Sequence, residues 1–170
     1  MASVHIARWA DMEYMFNISA GVGRGRPNHH LDVMLVQYLL NLASDETKSE
    51  NVTTWTLIRP PDLKNNLVMD GICGEKTQAF ISHYQKHRNQ TRQYSDVNQM
   101  AIVMKVKEDG AIDPWRHPVN LAFQHADAST PLASSLTMAT LCYDAAKHDD
   151  MTSGFFRLMP DALRRILCAH

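Results

Sequence analysis

The chain has 170 residues, of which 45% are hydrophobic, so it can bury one substantial core but not two independent large domains. Its 17 basic residues nearly balance its 18 acidic ones, which excludes a global positive field for gathering nucleic acid or an anionic membrane surface. No apolar run reaches the roughly 18 residues of a membrane span, and the amino terminus lacks the apolar core of a signal peptide.

A leader and a glycine-rich loop come first in the chain. We assign residues 1–17 to the leader and residues 21–28 to a flexible loop that contains three glycines. Asn28 ends this loop, and asparagine is favoured at a helix start because its side chain accepts a hydrogen bond from a free backbone N–H. We therefore predict that Asn28 caps the first helix.

The clearest periodic segment predicts an amphipathic helix over 30–43. Gln37 and Asn41 lie on the flank of its apolar stripe, where they can reach a loop or a ligand. Asp32 stands in the first turn, where the helix dipole favours a negative charge. The apolar residues of the stripe recur at helical spacing: Leu31, Met34, Leu35, Tyr38, Leu39 and Leu42.

A turn and a second helix follow. Asp70-Gly71 marks the turn, because glycine tolerates the positive φ that other residues resist. We expect Gly74 to supply a second such point just before the helix. Apolar residues at helical spacing then predict a helix over about 77–87.

A short strand is predicted over 100–107, and it can pair with an extended segment over 52–58 as a β ribbon. Asp109-Gly110 then repeats the turn pattern of Asp70-Gly71. This turn pattern is the internal repeat that the sequence shows.

Three more helices are predicted towards the carboxyl end. Pro118 suits the first position of the third helix. Pro131 and Pro160 open two further helices, over 132–147 and 161–168, which we expect to pack onto the rest of the protein.

Two ordered motifs resemble a known family. The first is the helix pattern Asp-Val-x-x-Val-Gln-x-Leu-Leu-Asn, which begins at Asp32, and the second is Asp-Gly-Ile-Cys-Gly-x-x-Thr, which begins at Asp70. In this order they resemble the peptidoglycan-binding domain family, a three-helix module of bacterial and phage cell-wall proteins. The resemblance covers residues 18–123, and it departs from the family at 115–118, where Trp-Arg-His-Pro replaces a glycine-rich stretch.

The resemblance implies a mainly α fold. We expect a three-helix peptidoglycan-binding-like bundle with a short β ribbon and a C-terminal helical extension. In domain terms, residues 1–17 form the leader, residues 18–126 the peptidoglycan-binding-like domain, and residues 127–170 the extension packed on it.

The same resemblance implies a ligand site around the Asp70 turn. Backbone amides at the start of the helix there suit the carboxylates of stem peptides. A structural alternative stays open, in which Asp70 closes its own turn, Thr77 caps the helix and Gln37 ties a loop to the core. The candidate ligand-binding residues are Gln37, Asp70, Gly71, Gly74, Thr77, Tyr84 and Gln85.

No motif marks a catalytic centre, so we predict a non-enzymatic protein without a cofactor. His83 and His87 stand at i and i+4, the spacing of a zinc clamp, but no third ligand accompanies them, so an exposed helix flank without metal is the favoured interpretation. Widely spaced Cys73, Cys142 and Cys168 predict free thiols rather than a disulfide framework.

Two functions follow as hypotheses. The first is a recognition module that binds bacterial peptidoglycan, through its glycan or its stem peptides, and localises a partner or a larger machine. The second is a structural component of a phage tail or contractile injection apparatus that uses the fold for protein contacts. For either, we expect synthesis in the cytoplasm, delivery or assembly in such a particle, and no nucleic-acid or membrane partner.

Overall fold

A computed structural model describes residues 2–9, 12–44, 59–90, 106–115, 132–147 and 159–167. Within these ranges four strands and four helices follow one another along the chain. They are β1 Ser3–Trp9, β2 Met12–Asn17, β3 Val22–Gly23, α1 His30–Ala43, α2 Glu75–Gln90, β4 Ala111–Ile112, α3 Leu132–Lys147 and α4 Asp161–Leu167.

The protein is a small α/β protein, so the expected mainly α, three-helix bundle is wrong. Two antiparallel strand pairs, β1–β2 and β3–β4, pack together with the helices. The predicted ribbon between 52–58 and 100–107 is not among these pairs. Residues 52–58, most of 100–107 and the third helix expected from Pro118 lie outside the described residues.

The β1–β2 hairpin occupies the segment that we expected to be a leader. Val4 pairs with Phe16 and Ile6 with Tyr14, and the register shifts before the last pair of the hairpin. Phe16 is buried, and the hairpin lies against α3 through β2 and against α4 through β1. Ala2 and Phe16 of this segment therefore belong to the core of the protein.

Helix α1 is the centre of the fold, and its bounds agree with the prediction. Its contacts with α2, α3, α4 and β3 bury every residue from Asp32 to Ala43. Apolar residues outside the expected stripe, such as Val33, Val36 and Leu40, are therefore as buried as those within it. A helix that is covered on all sides needs apolar residues around most of its circumference.

The start of α1 differs from the prediction, because Asn28 does not cap it. The cap position is His29, which makes no side-chain cap bond. Asn28 instead has a positive φ of 53° and closes the glycine loop. Its side chain accepts a hydrogen bond from the Gly23 N–H (2.7 Å) and donates to the carbonyls of Gly23 and Arg26.

Asp32 stabilises the chain before α1. Its carboxylate is fully buried and accepts hydrogen bonds from the Ser19 N–H (3.1 Å), the Ser19 hydroxyl (2.7 Å) and the Ala20 N–H (3.0 Å). The residue therefore holds the end of the hairpin against the first turn of the helix, in addition to its favourable position in the helix dipole.

The tail helices confirm the prediction for the end of the chain. Helix α3 has the predicted bounds, and α4 ends one residue before the predicted limit, at the edge of the described range. Both contact α1. Within the described ranges, no helix combines the length and the apolar character that crossing a membrane requires.

Candidate functional site

Two Asp-Gly turns have the same local geometry. We call residues 68–72 the Asp70 corner and residues 107–111 the Asp109 corner. The glycines lie in the left-handed region, Gly71 with φ 69° and Gly110 with φ 71°. In each corner the aspartate Oδ1 accepts a hydrogen bond from the backbone N–H two residues later, at 2.9 Å from Ile72 and at 3.0 Å from Ala111.

Gln37 of α1 closes the Asp70 corner from inside. Its Oε1 accepts a hydrogen bond from the Gly71 N–H (3.0 Å). Its Nε2 donates to Asp70 Oδ1 (3.0 Å), the Ile72 carbonyl (3.1 Å) and the Thr77 hydroxyl (3.1 Å). A buried amide with this set of partners fixes the corner to the helix.

Gln85 of α2 closes the Asp109 corner in the same way. Its Oε1 accepts a hydrogen bond from the Gly110 N–H (2.8 Å), and its Nε2 donates to the Ala111 carbonyl (2.7 Å) and, at 3.4 Å, to Asp109 Oδ1. The two glutamines thus occupy equivalent places in two equivalent units, each formed by a helix and the corner that it closes.

An asparagine one turn after each glutamine extends this equivalence. Asn41 donates to the Leu67 carbonyl (2.9 Å) and accepts from the Leu67 N–H (2.8 Å). Asn89 makes the same pair of bonds with Val106, at 2.7 Å and 2.9 Å. Each asparagine therefore clamps the buried residue three positions before the corner aspartate.

This repeat is present in the sequence but was not recognised from it. A Gln-x-x-x-Asn pair occurs at 37–41 and again at 85–89, and each is followed by an apolar-x-x-Asp-Gly pattern, at 67–71 and 106–110. Sequence reasoning identified the two Asp-Gly turns but not the asparagine clamps. Matching the two patterns together would have paired each helix with its corner.

Several predicted site residues lie inside the protein. Gln37, Thr77, Tyr84 and Gln85 are each 3% exposed or less, so their side chains support the site from beneath. Thr77 donates to the Ile72 carbonyl (3.3 Å) in addition to its bond with Gln37, so it joins the corner to α2.

Gly74 does not have the positive φ that we expected. It is exposed, and its carbonyl accepts a hydrogen bond from the Gln78 N–H (3.0 Å), so it leads directly into α2. A Cβ atom at this position would meet nothing within 4 Å. The glycine is therefore not required by the local geometry.

Tyr84 belongs to a buried polar contact between α2 and α3. Its hydroxyl donates to Asp144 Oδ2 (2.9 Å), and Arg88 Nε lies 3.2 Å from the same oxygen. Burial, followed by the nearby charge of Asp144, raises the pKa of Tyr84 well above its usual value. The tyrosine therefore stays a neutral donor that joins the two helices.

The two corners differ on their outer sides. Asp109 Oδ2 lies 3.4 Å from Arg26 Nη2 and 3.3 Å from Lys107 Nζ. Arg26 also donates to Asp113 from Nε (2.7 Å) and Nη2 (2.8 Å), and the hydrogen bond to Asp113 is the main cause of its raised pKa. Oδ2, the outer carboxylate oxygen of Asp109, is therefore paired with cations of the chain itself.

The Asp70 corner presents a carboxylate and apolar groups to solvent. Among the described residues, no basic side chain forms an ion pair with Asp70. The hydrogen bond from Gln37, then that from the Ile72 N–H, lowers the pKa of Asp70, with a smaller effect of His30. Val68 and Ile72 are 74% and 64% exposed, and within the described ranges no other large hydrophobic side chain is exposed.

A serine, a histidine and an aspartate meet at the start of α1 without forming a catalytic triad. His29 Nδ1 lies 3.5 Å from the Ser19 hydroxyl and 3.6 Å from Asp32. In a triad the imidazole stands between the serine and the carboxylate, so that it can take the serine proton. Here the Ser19 hydroxyl donates directly to Asp32, so the trio anchors the chain.

The histidine pair and the cysteines are the other candidates that the sequence offers. The rings of His83 and His87 stack with centroids 6.0 Å apart, and the described part of the chain contains no group of three or more residues suited to hold a metal ion. Cys73 and Cys142 are free thiols, as the sequence predicts, and Cys168 lies outside the described residues.

No protein-family model, no curated protein and no solved structure matches this chain.

Proposed function

We propose that this protein is a non-catalytic recognition module that binds bacterial peptidoglycan at the Asp70 corner and so localises a partner or a larger machine. The observation that carries the proposal is the exposure of Val68 and Ile72 on either side of a charged Asp70. Glycans and short peptides carry polar and apolar surface together, and a site for them must offer both.

The rigidity of the corner supports a binding role. The Gly71 N–H, the Ile72 carbonyl and the inner oxygen of Asp70 are all bonded to Gln37, which is buried. The exposed groups are therefore held in one geometry before a ligand arrives, which reduces the ordering cost of binding. In this proposal Gln37 and Thr77 position the site, and exposed Asp70, Val68 and Ile72 contact the ligand.

The test is a pull-down on purified sacculi with the parent protein and Ile72→Ser. Removing an exposed apolar contact at a ligand interface should weaken retention by about tenfold if the side chain is well covered by ligand. Ala79→Ser is the matched control, because it introduces the same side chain at an exposed apolar residue of α2 outside the corner, and it should bind as the parent does. The proposal would be contradicted if the parent protein stayed wholly in the supernatant.

A second candidate is a structural component of a phage tail or contractile injection apparatus. The observation that favours it is the internal use of Gln37, Thr77, Tyr84 and Gln85, which leaves few polar side chains of the predicted site for a ligand. The exposed apolar pair at the Asp70 corner would then be a protein contact. Stoichiometric recovery of the chain in purified particles, with no retention on sacculi, would favour this function.

A further inference from the structure

Among the described residues, the outer oxygen (Oδ2) of the corner aspartate has cationic partners at Asp109 and none at Asp70. At the Asp109 corner this oxygen faces the Arg26 guanidinium and the Lys107 ammonium, at 3.4 Å and 3.3 Å. At the Asp70 corner the inner oxygen makes the equivalent bonds, while the outer oxygen has no ion-pair partner among the described residues.

The register between the units explains this difference. With Asp70 aligned to Asp109, Val68 stands at the place of Lys107, and Gly74 stands at the place of Asp113, which holds Arg26 in the second unit. The first unit therefore lacks both the lysine and the carboxylate that would hold an arginine. Val68, an apolar side chain that is 74% exposed, takes the place of the cation.

The Asp70 carboxylate carries a negative charge at neutral pH. It is ionised because hydrogen bonds from Gln37 and the Ile72 N–H lower its pKa. The ring of His30 lies against Gly71, where a Cβ atom would come within 2.4 Å of its Nδ1, and its charge makes a smaller contribution to the lowered pKa of Asp70. The corner therefore offers an anion whose inner oxygen is held by hydrogen bonds, with exposed apolar residues two positions before and two positions after it.

We propose that the Asp70 corner binds an alkylammonium group of the ligand, namely the side-chain amine of a diamino acid in a peptidoglycan stem peptide. The ammonium pairs with the outer oxygen of Asp70, and the methylene chain lies on Val68 and Ile72. This inference rests on the proposed function and names its ligand group. The second unit supplies the same contact to itself through Lys107.

The first test compares two preparations of sacculi whose stem peptides contain a diamino acid with a free amine. One is untreated, and in the other the amines are acetylated and so carry no charge. We expect acetylation to weaken retention of the parent protein by about threefold or more, the size of an exposed charge pair. Asp70→Asn should bind both preparations equally weakly.

Asp70→Asn is suited to this test because asparagine keeps one carbonyl oxygen. That oxygen can still accept the bonds from Gln37 and the Ile72 N–H, so the corner should stay closed, and an unchanged melting temperature checks this. Glu75→Gln is the control, since it removes an exposed acid in the first turn of α2 and should leave the effect of acetylation intact.

A second test introduces the cation of the other unit. Val68→Lys places an ammonium where Lys107 stands relative to Asp109, so it should occupy Asp70 and abolish the effect of acetylation. Val68→Gln removes the same apolar contact without adding charge, and the effect of acetylation should persist. If the two variants respond alike to acetylation, the proposed pairing is wrong.

The outcomes separate this inference from the proposed function. Equal retention of the parent protein on untreated and acetylated sacculi would overturn the inference and leave peptidoglycan binding in place. Retention on neither preparation would overturn both. Loss of a specific protein partner from Asp70→Asn, without any effect on sacculi, would assign the corner to a lysine or arginine of that partner and overturn the stem-peptide assignment.

Discussion

Replacing Gln37 with leucine removes the amide that closes the Asp70 corner. Gln37 contacts Asp70, Gly71, Ile72 and Thr77, and because its Nε2 has two hydrogens to share among three acceptors, about three full hydrogen bonds are lost. Each contributes about 1 kcal/mol net. Leucine recovers about 1 kcal/mol by burying more apolar surface, so the free energy of unfolding should fall by about 2 kcal/mol.

The assay is equilibrium unfolding in urea, followed by circular dichroism and analysed by linear extrapolation. Gln78→Leu is the matched control, because it makes the same chemical change at a half-buried glutamine with one long bond, 3.3 Å to the Cys73 carbonyl. It should cost less than about 1 kcal/mol. If Gln37→Leu costs no more than Gln78→Leu, the corner is not held as we describe.

Three further predictions test other contacts. Gly71→Ala should destabilise the fold by more than Gly25→Ala. Both glycines have a positive φ, but a Cβ atom at position 71 would strike His30, whereas one at position 25 meets nothing within 4 Å. Thermal unfolding compares the two variants, and equal losses of stability would contradict the described clash. Burial raises the pKa of Cys142 to about 12, so its thiol should resist iodoacetamide in the native protein and react after unfolding. Mass spectrometry of the alkylated peptides measures this, and labelling of the native protein would contradict the burial of Cys142. Burial, then the neighbouring His83, lowers the pKa of His87 below 6.5. The unfolded chain therefore binds a proton at this histidine more readily than the folded protein does. The free energy of unfolding should fall as the pH drops below 6.5 and level off beneath the folded-state pKa. His87→Gln should reduce that slope in denaturant titrations at several pH values, and an unchanged slope would contradict the shift.

The helices could be predicted because their signal is local. The apolar spacing over 30–43 gives the bounds of α1, and the proline-opened segments give those of α3 and α4. The Asp-Gly turns were equally readable, since a positive φ at Gly71 and Gly110 is a property of a few adjacent residues. Each of these features is specified by neighbours in the chain.

The partners of the flanking polar residues could not be predicted in this way. Helical spacing places Gln37 at the edge of a stripe, but its partner Asp70 is 33 positions away. The same position suits a ligand contact or a corner closure, and only the tertiary arrangement decides between them. The full burial of α1 has the same origin, because it depends on α3 and α4 arriving from the end of the chain.

The hairpin was missed although the chain carries a signal for it. Met12, Tyr14 and Phe16 alternate with other residues along β2, as expected for a strand with one buried face. The segment precedes the residues that carry the family resemblance. A resemblance that covers part of a chain does not describe the part beyond it.

The asparagine clamps separate the geometry of each corner from the length of chain that leads to it. Asn41 and Leu67 are 26 positions apart, while Asn89 and Val106 are 17 positions apart, yet both pairs make the same two bonds. Helix and corner are thus matched by side-chain chemistry and not by the span between them. Insertions or deletions in either intervening segment should leave the two corners unmoved, which makes these spans suitable places to graft a tag or a second module.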